Sequence, residues 1–100
     1  MPDTLTKTRN SVDSVVLEPK KYKVLVLNDN HTPMEFVIAM LVKIFRHNET
    51  SAINLTMNIH NQGSAVAGIY SYEIAEQKSM EATMLARDHG HPLQLKLEPE

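Results

Sequence analysis

The hydrophobic positions of this chain change rhythm several times. Val24, Leu25, Val26 and Leu27 form a short β-favouring run that stops at Asn28-Asp29-Asn30. A continuous aliphatic run closed by turn formers predicts a buried strand. From Phe36 the spacing becomes three and four. Phe36, Val37, Met40, Leu41, Ile44 and Phe45 then share one face of a helix that ends near Arg46-His47-Asn48. Thr32-Pro33-Met34-Glu35 predicts its start, with Thr32 as N-cap, Pro33 at the first helical position and Glu35 closing a capping box. A second helix is predicted from Ala52 to about His60, with Ala52, Leu55 and Ile59 on one face and Thr56 beside them. Ile53, Leu55, Met57 and Ile59 also alternate as a strand would. The N-cap candidates in Asn48-Glu49-Thr50-Ser51 and the stop at Asn61-Gln62-Gly63 favour the helix.

Ser64 to Ser71 reads as a strand through Val66, Ile69 and Tyr70. Tyr72 to His89 is the longest helix. Ile74, Ala75, Lys78, Ala82, Leu85 and Ala86 are expected on its inner face, Gly90 just past its end, and Pro92 as a block to its continuation. Leu93, Leu95 and Leu97 alternate with Gln94, Lys96 and Glu98, the pattern of a half-buried strand. The expected order is β-α-α-β-α-β: an α/β (α+β) single domain with a small antiparallel sheet packed against helices. Residues 1–20 lack a sustained period and hold one apolar cluster, Val15-Val16-Leu17. They read as a disordered N-terminal arm in front of a core spanning 21–100.

Composition narrows the function classes. One hundred residues suit one domain. With no Cys, thiolate metal sites, disulfides and a cysteine nucleophile are excluded, and a cytoplasmic location is compatible. No apolar run approaches the roughly 20 residues of a membrane span, and Met1-Pro2-Asp3-Thr4 does not open a signal peptide. Ten basic against twelve acidic residues, and no Trp, argue against nucleic acid held by bulk charge or by stacking. A small RNA-binding domain would need a basic face and exposed aromatics on its strands, and neither is visible. No nucleophile elbow, phosphate loop or HExxH helix suggests an enzyme.

Four features could carry chemistry. Asn28-Asp29-Asn30-His31-Thr32 places short polar side chains at the mouth of a sheet, where they could converge on a cation; a tight turn built from Asn and Asp is the simpler account. His60 could add to such a polar pocket, or sit unremarkably at a helix C-terminus. His89-Gly90-His91, with His31 and His47 elsewhere, completes no familiar zinc spacing, so no metal is expected. Of the six methionines most are expected to fill core, but Met34 stands in the first helical turn beside the polar loop.

The segment Val26-Leu27-Asn28-Asp29-Asn30-His31-Thr32-Pro33-Met34-Glu35-Phe36-Val37 resembles the signature of the ClpS family, bacterial adaptors of the N-end rule. Ile59-His60, Gln62-Gly63, Glu73-Ile74-Ala75-Glu76, Lys78 and His91-Pro92-Leu93 follow in the same order, so the resemblance covers about Lys20 to Leu97. It implies a binding protein with no cofactor, not an enzyme. Such an adaptor captures proteins whose free N-terminal residue is Leu, Phe, Tyr or Trp and delivers them to a ClpA-type AAA+ unfoldase. By resemblance, Asn28, Asp29 and His60 receive the α-amino group. Thr32, Met34, Val37, Ile59 and Leu93 wall the side-chain pocket, with Thr56 at its edge. Met34 matches a gate that disfavours β-branched residues. Glu73, Glu76 and Lys78 match positions that dock on the unfoldase N-terminal domain, though a solvated helix face would look the same. The arm falls where the family has its delivery tail, and a monomer is implied.

Two positions depart from the family pattern. Asn30 stands where a second Asp is usual, and Thr56 where Met is common. Both bear on which N-terminal residues are accepted. The alternative reading is a Clp-docking regulator with a non-functional or narrowed pocket, against which Asn28, Asp29, Met34 and His60 argue.

Overall fold

The structure is a computed structural model and describes residues 20–100; the expected arm lies outside them except for Lys20. Six elements follow one another: β1 (Lys21–Leu27), α1 (Met34–Lys43), α2 (Glu49–Gln62), β2 (Ser64–Ser71), α3 (Tyr72–Asp88) and β3 (Gln94–Pro99). This is the expected β-α-α-β-α-β order. The strands form one antiparallel sheet in the order β2-β1-β3, so the first strand is central.

The unbroken run in β1 predicts burial on both faces, but only one face is covered. Val24 and Val26 are fully buried, whereas Leu25 and Leu27 are half-buried. Val24 lies opposite Leu97 and Val26 opposite Leu95, and this face packs on α3. The helix meets the sheet through Ala75, Ala82 and Ala86, all fully buried. Side chains this small let a helix backbone approach closely. Ile74, expected on this inner face, is 43% exposed. It precedes Ala75 by one residue, about 100° round the helix, and so points away from the alanine stripe.

Between β1 and β2 the register slips: Val24 faces Gly68 but Leu25 faces Val66, leaving Ala67 as a bulge. Its carbonyl accepts a hydrogen bond from His47 Nε2 at 2.6 Å. A carbonyl can only accept, so Nε2 carries the proton. Nδ1 lies 3.1 Å from the Ser51 hydroxyl in the first turn of α2. His47 therefore ties the α1–α2 connection to the sheet. Two residues on, the Tyr70 phenol folds back over Gly68, filling the space a Cβ would occupy.

The helix ends differ from expectation at several points; α1 stops at Lys43, so Ile44 and Phe45, expected within it, are buried just past its end. Pro33, not Thr32, is the N-cap of α1, and its carbonyl accepts from the N–H groups of Phe36 and Val37. The predicted capping box does not form: Pro33 has no side-chain acceptor, and the Thr32 hydroxyl donates to Asp29. At the other end, the Lys78 ammonium donates to the Ile44 carbonyl at 2.8 Å, placing a cation on the negative end of the helix. α2 is longer than expected; Asn48 Oδ1 caps it by accepting from the Ser51 N–H at 2.7 Å. It stops at Gly63, whose φ of 93° is left-handed and whose N–H bonds Ile59. α3 ends in a Schellman motif: Gly90 N–H reaches the Arg87 carbonyl and His91 N–H the Ala86 carbonyl.

Gly63 also accepts, through its carbonyl, the Asn28 N–H at 2.9 Å. The end of α2 is thereby fastened to the loop after β1. A Cβ at Gly63 would meet nothing within 4 Å, so only its positive φ resists substitution. Gly63→Ala should cost about 1–2 kcal/mol of stability, read as a lower urea midpoint with an unchanged slope.

Candidate functional site

Three chain reversals meet at one end of the sheet and enclose a cavity of about 210 Å³. The loop after β1 contributes Asn28, Asp29 and Asn30, with Thr32 leading into α1. The first turn of α1 brings Met34 and Val37. The C-terminal half of α2 brings Thr56, Ile59 and His60, and the turn before β3 brings Leu93. Leu27, the last residue of β1, completes the lining. No role follows for Leu27 from the sequence reading; its place immediately before the polar loop was the available signal.

The lining is graded in polarity. Asn28, Asn30 and His60 are exposed and Asp29 half-exposed, so the polar groups form the mouth. Val37, Ile59 and Leu93 are buried, and they form the interior. Met34 is 39% exposed and stands at the rim. Thr56 was expected at the edge, but it is 3% exposed and belongs to the interior. Its hydroxyl donates to the Ala52 carbonyl one turn back, at 2.8 Å. The donor is thus satisfied within the helix, and a bound group meets only an acceptor oxygen and a methyl.

Asp29 organises the mouth. Its Oδ1 accepts from the N–H groups of His31 (2.7 Å) and Thr32 (2.8 Å), and its Oδ2 from the Thr32 hydroxyl (2.8 Å). A carboxylate has about four lone-pair sites, so these bonds leave room for one further donor. Partial burial pushes the carboxyl pKa up. The Thr32 hydroxyl, the two backbone N–H groups and the nearby His31 together outweigh it and hold the pKa below the usual Asp value.

The remaining predicted positions lie elsewhere. Glu73 and Glu76 are exposed in the first turns of α3, and neither lines the cavity. The Tyr72 hydroxyl donates to Glu76 at 3.3 Å, and that carboxylate pushes the phenol pKa up. Lys78 is half-buried; besides bonding Ile44 it lies 5.5 Å from the Tyr70 ring centroid. It is a structural cap as well as a surface charge. Among the described residues no three His, Cys, Asp or Glu side chains gather as metal ligands, and no helix is long and apolar enough to cross a membrane. His89 and His91 pack instead against the Phe36 ring, at 5.5 and 4.8 Å between centroids.

The lowered pKa of Asp29 makes stability depend on acid. Its contribution is complete above the unfolded-state pKa near 3.9 and is lost as pH falls through the lower folded value. Urea unfolding of the wild type and Asp29→Asn should show the wild type more stable at pH 7, with the gap closing as pH falls below the unfolded-state pKa of Asp.

Comparison with known proteins agrees with this architecture. Residues 17–96 match the family described as ATP-dependent Clp protease adaptor protein ClpS. The ClpS adapter of Helicobacter hepaticus is 42% identical over 90 residues, covering 90% of this chain and 91% of its own. That of Nautilia profundicola is 44% identical over 93 residues, covering 93% and 96%. The structure of Agrobacterium tumefaciens ClpS2 bound to L-phenylalaninamide superposes with a TM-score of 0.81 at 44% identity, covering 83% of this chain and all of that one. With four-fifths of its length matched by the family and relatives above 40% identity along most of the chain, the protein belongs to the ClpS family of Clp protease adaptors.

Proposed function

We propose that the cavity receives the N-terminal residue of a protein and that the chain hands this cargo to a ClpA-type AAA+ unfoldase for degradation. The observation that carries the reading is the polarity gradient of a single small cavity: a carboxylate, two amides and an imidazole at the mouth, aliphatic side chains within. An α-ammonium is a cation with three donors, and the mouth presents acceptors for it at Asn28, Asp29 and His60. The side chain attached to it enters the interior walled by Thr32, Met34, Val37, Ile59 and Leu93, with Thr56 beneath. An apolar cavity of about 150 Å³ holds benzene, so about 210 Å³ accommodates a Leu or a Phe side chain. The solved relative that superposes on this chain is bound to L-phenylalaninamide, which has the same two parts: a free amine and a bulky apolar side chain.

The energetics suit an adaptor that must release what it binds. Burying a Leu or Phe side chain contributes about 1.5–3 kcal/mol, and each hydrogen bond to the ammonium about 1.5–3 kcal/mol. Loss of translational and rotational freedom opposes them, leaving a dissociation constant on the order of micromolar. Glu73, Glu76 and Lys78 supply the unfoldase contact in this reading, on a helix face separate from the cavity. Cargo and unfoldase can then be held at once by a monomer.

Fluorescence anisotropy of a labelled peptide beginning with Phe, compared with the same peptide acetylated, tests the reading. The free peptide should bind at micromolar concentration or tighter, and the acetylated one should not. Asp29→Asn should weaken binding about tenfold or more, the loss of one charge-assisted bond. Asn30→Asp adds a negative charge near the ammonium and should tighten all peptides together, by about fivefold at most. Thr56→Met fills the interior and should reorder Leu, Phe, Tyr and Trp peptides relative to one another. Equal binding of free and acetylated peptides would overturn the proposal, and binding of neither would leave a docking regulator without N-terminal recognition.

A further inference from the structure

Leu93 is 1% exposed and forms one wall of the cavity, yet it belongs to no regular element: it lies in the turn between α3 and β3. A wall in a turn needs something to hold it. From the last turn of α3, Arg87 Nη1 donates to the His91 carbonyl at 2.9 Å and to the Leu93 carbonyl at 2.8 Å. A single nitrogen with two protons thereby joins the peptide groups on either side of Pro92 and Leu93. The Pro92 ring already fixes its φ near −65°. The remaining backbone freedom between the two carbonyls is what the guanidinium removes, and with it the direction in which the Leu93 side chain points. The His91 ring, edge-on to Phe36 at 4.8 Å, holds the same turn against α1.

We infer that Arg87 is a positioning residue for side-chain selectivity: without touching the ligand, it sets the depth of the pocket by holding Leu93 in place. The inference rests on the reading of the cavity as an N-terminal-residue pocket. Arg87 does not line that cavity, and it is exposed, so its effect on the ligand passes through the turn. The polar mouth is built from other segments, so recognition of the amine should be untouched.

The test is a matrix of peptides beginning with free Phe, free Leu and acetylated Phe against three proteins: wild type, Arg87→Met and Arg87→Lys. Met keeps an apolar stem and loses every donor; Lys keeps the charge and can still donate to a carbonyl. Thermal melts give the folded fraction, and affinities are compared per folded molecule. Arg87→Met should change the ratio of Phe to Leu affinity by about threefold or more, within the range that one methylene can contribute to discrimination. Acetylation should still abolish its binding, and Arg87→Lys should return the ratio toward that of the wild type. A lowered melting temperature with an unmoved ratio would assign Arg87 a purely structural role and overturn the inference alone. If Arg87→Met does not fold, Arg87→Gln, whose shorter side chain cannot span both carbonyls, takes its place: a shifted Phe-to-Leu ratio supports the inference and an unmoved ratio overturns it. A wild type that binds no free peptide would overturn the function proposed above and this inference with it.

Discussion

The carboxylate of Asp29 does two jobs that compete for the same lone pairs. It turns the chain from the central strand into α1 by accepting three hydrogen bonds from His31 and Thr32. It is also the one negative side chain lining the cavity. The competition is resolved by geometry. The loop bonds hold the carboxylate still and leave about one acceptor site open. In the proposed reading an incoming ammonium would meet a group already oriented, with little ordering left to be done on binding. The same bonds turn both the N–H and the hydroxyl of Thr32 toward Asp29, and Pro33 takes the cap position.

Around this loop the fold brings together ends, not faces. The N-terminus of α1, the C-terminus of α2 and the turn after α3 all arrive at the same end of the sheet. The Asn28 N–H bonded to the Gly63 carbonyl joins the first two; Phe36 against His91 joins the first and third. The carbonyl end of α2 carries partial negative charge, so it favours a cation near His60 and reinforces Asp29. Apart from Phe36, the residues of these joints lie just outside regular structure. The cavity's shape is accordingly decided by a few hydrogen bonds and one aromatic contact, while the buried core beneath supplies the rigid support.

Much of this was legible in the chain because local rules and the tertiary structure agree. The order of elements, the strand Ser64–Ser71 and the glycines that end two helices follow from periodicity and cap chemistry. Grouping Asn28 and Asp29 with His60, 31 residues further on, followed from a resemblance and not from spacing, since periodicity carries no distance between elements. What was illegible depends on tertiary choice. Thr32 had two possible partners, and nothing local decides between the helix and Asp29. Thr56 reads as an edge residue until the packing of α2 buries it. Lys78 reads both as an inner-face residue and as a docking charge, and its carbonyl partner at the end of α1 is set only by the packing of the two helices. Arg87 carries no signal at all, because its acceptors are backbone carbonyls that any sequence provides.

The two departures from the family pattern fall on opposite sides of the polarity gradient, and this separates their consequences. Asn30 is at the exposed mouth, where in the proposed reading it would alter the field felt by the ammonium. Every free N-terminus carries that ammonium, so a change there acts on all ligands alike and leaves their ranking intact. Thr56 is in the buried interior, which in the proposed reading only the side chain of the N-terminal residue would reach. Its oxygen has already given its proton to Ala52, so it can accept but not donate. The phenol of Tyr and the indole of Trp bring a donor to such an oxygen; Phe and Leu bring none. Differences in ranking among bulky residues must therefore arise within the interior. In this reading overall affinity can be tuned at Asn30 without disturbing that ranking, because the ammonium is common to every ligand and the side chain is not.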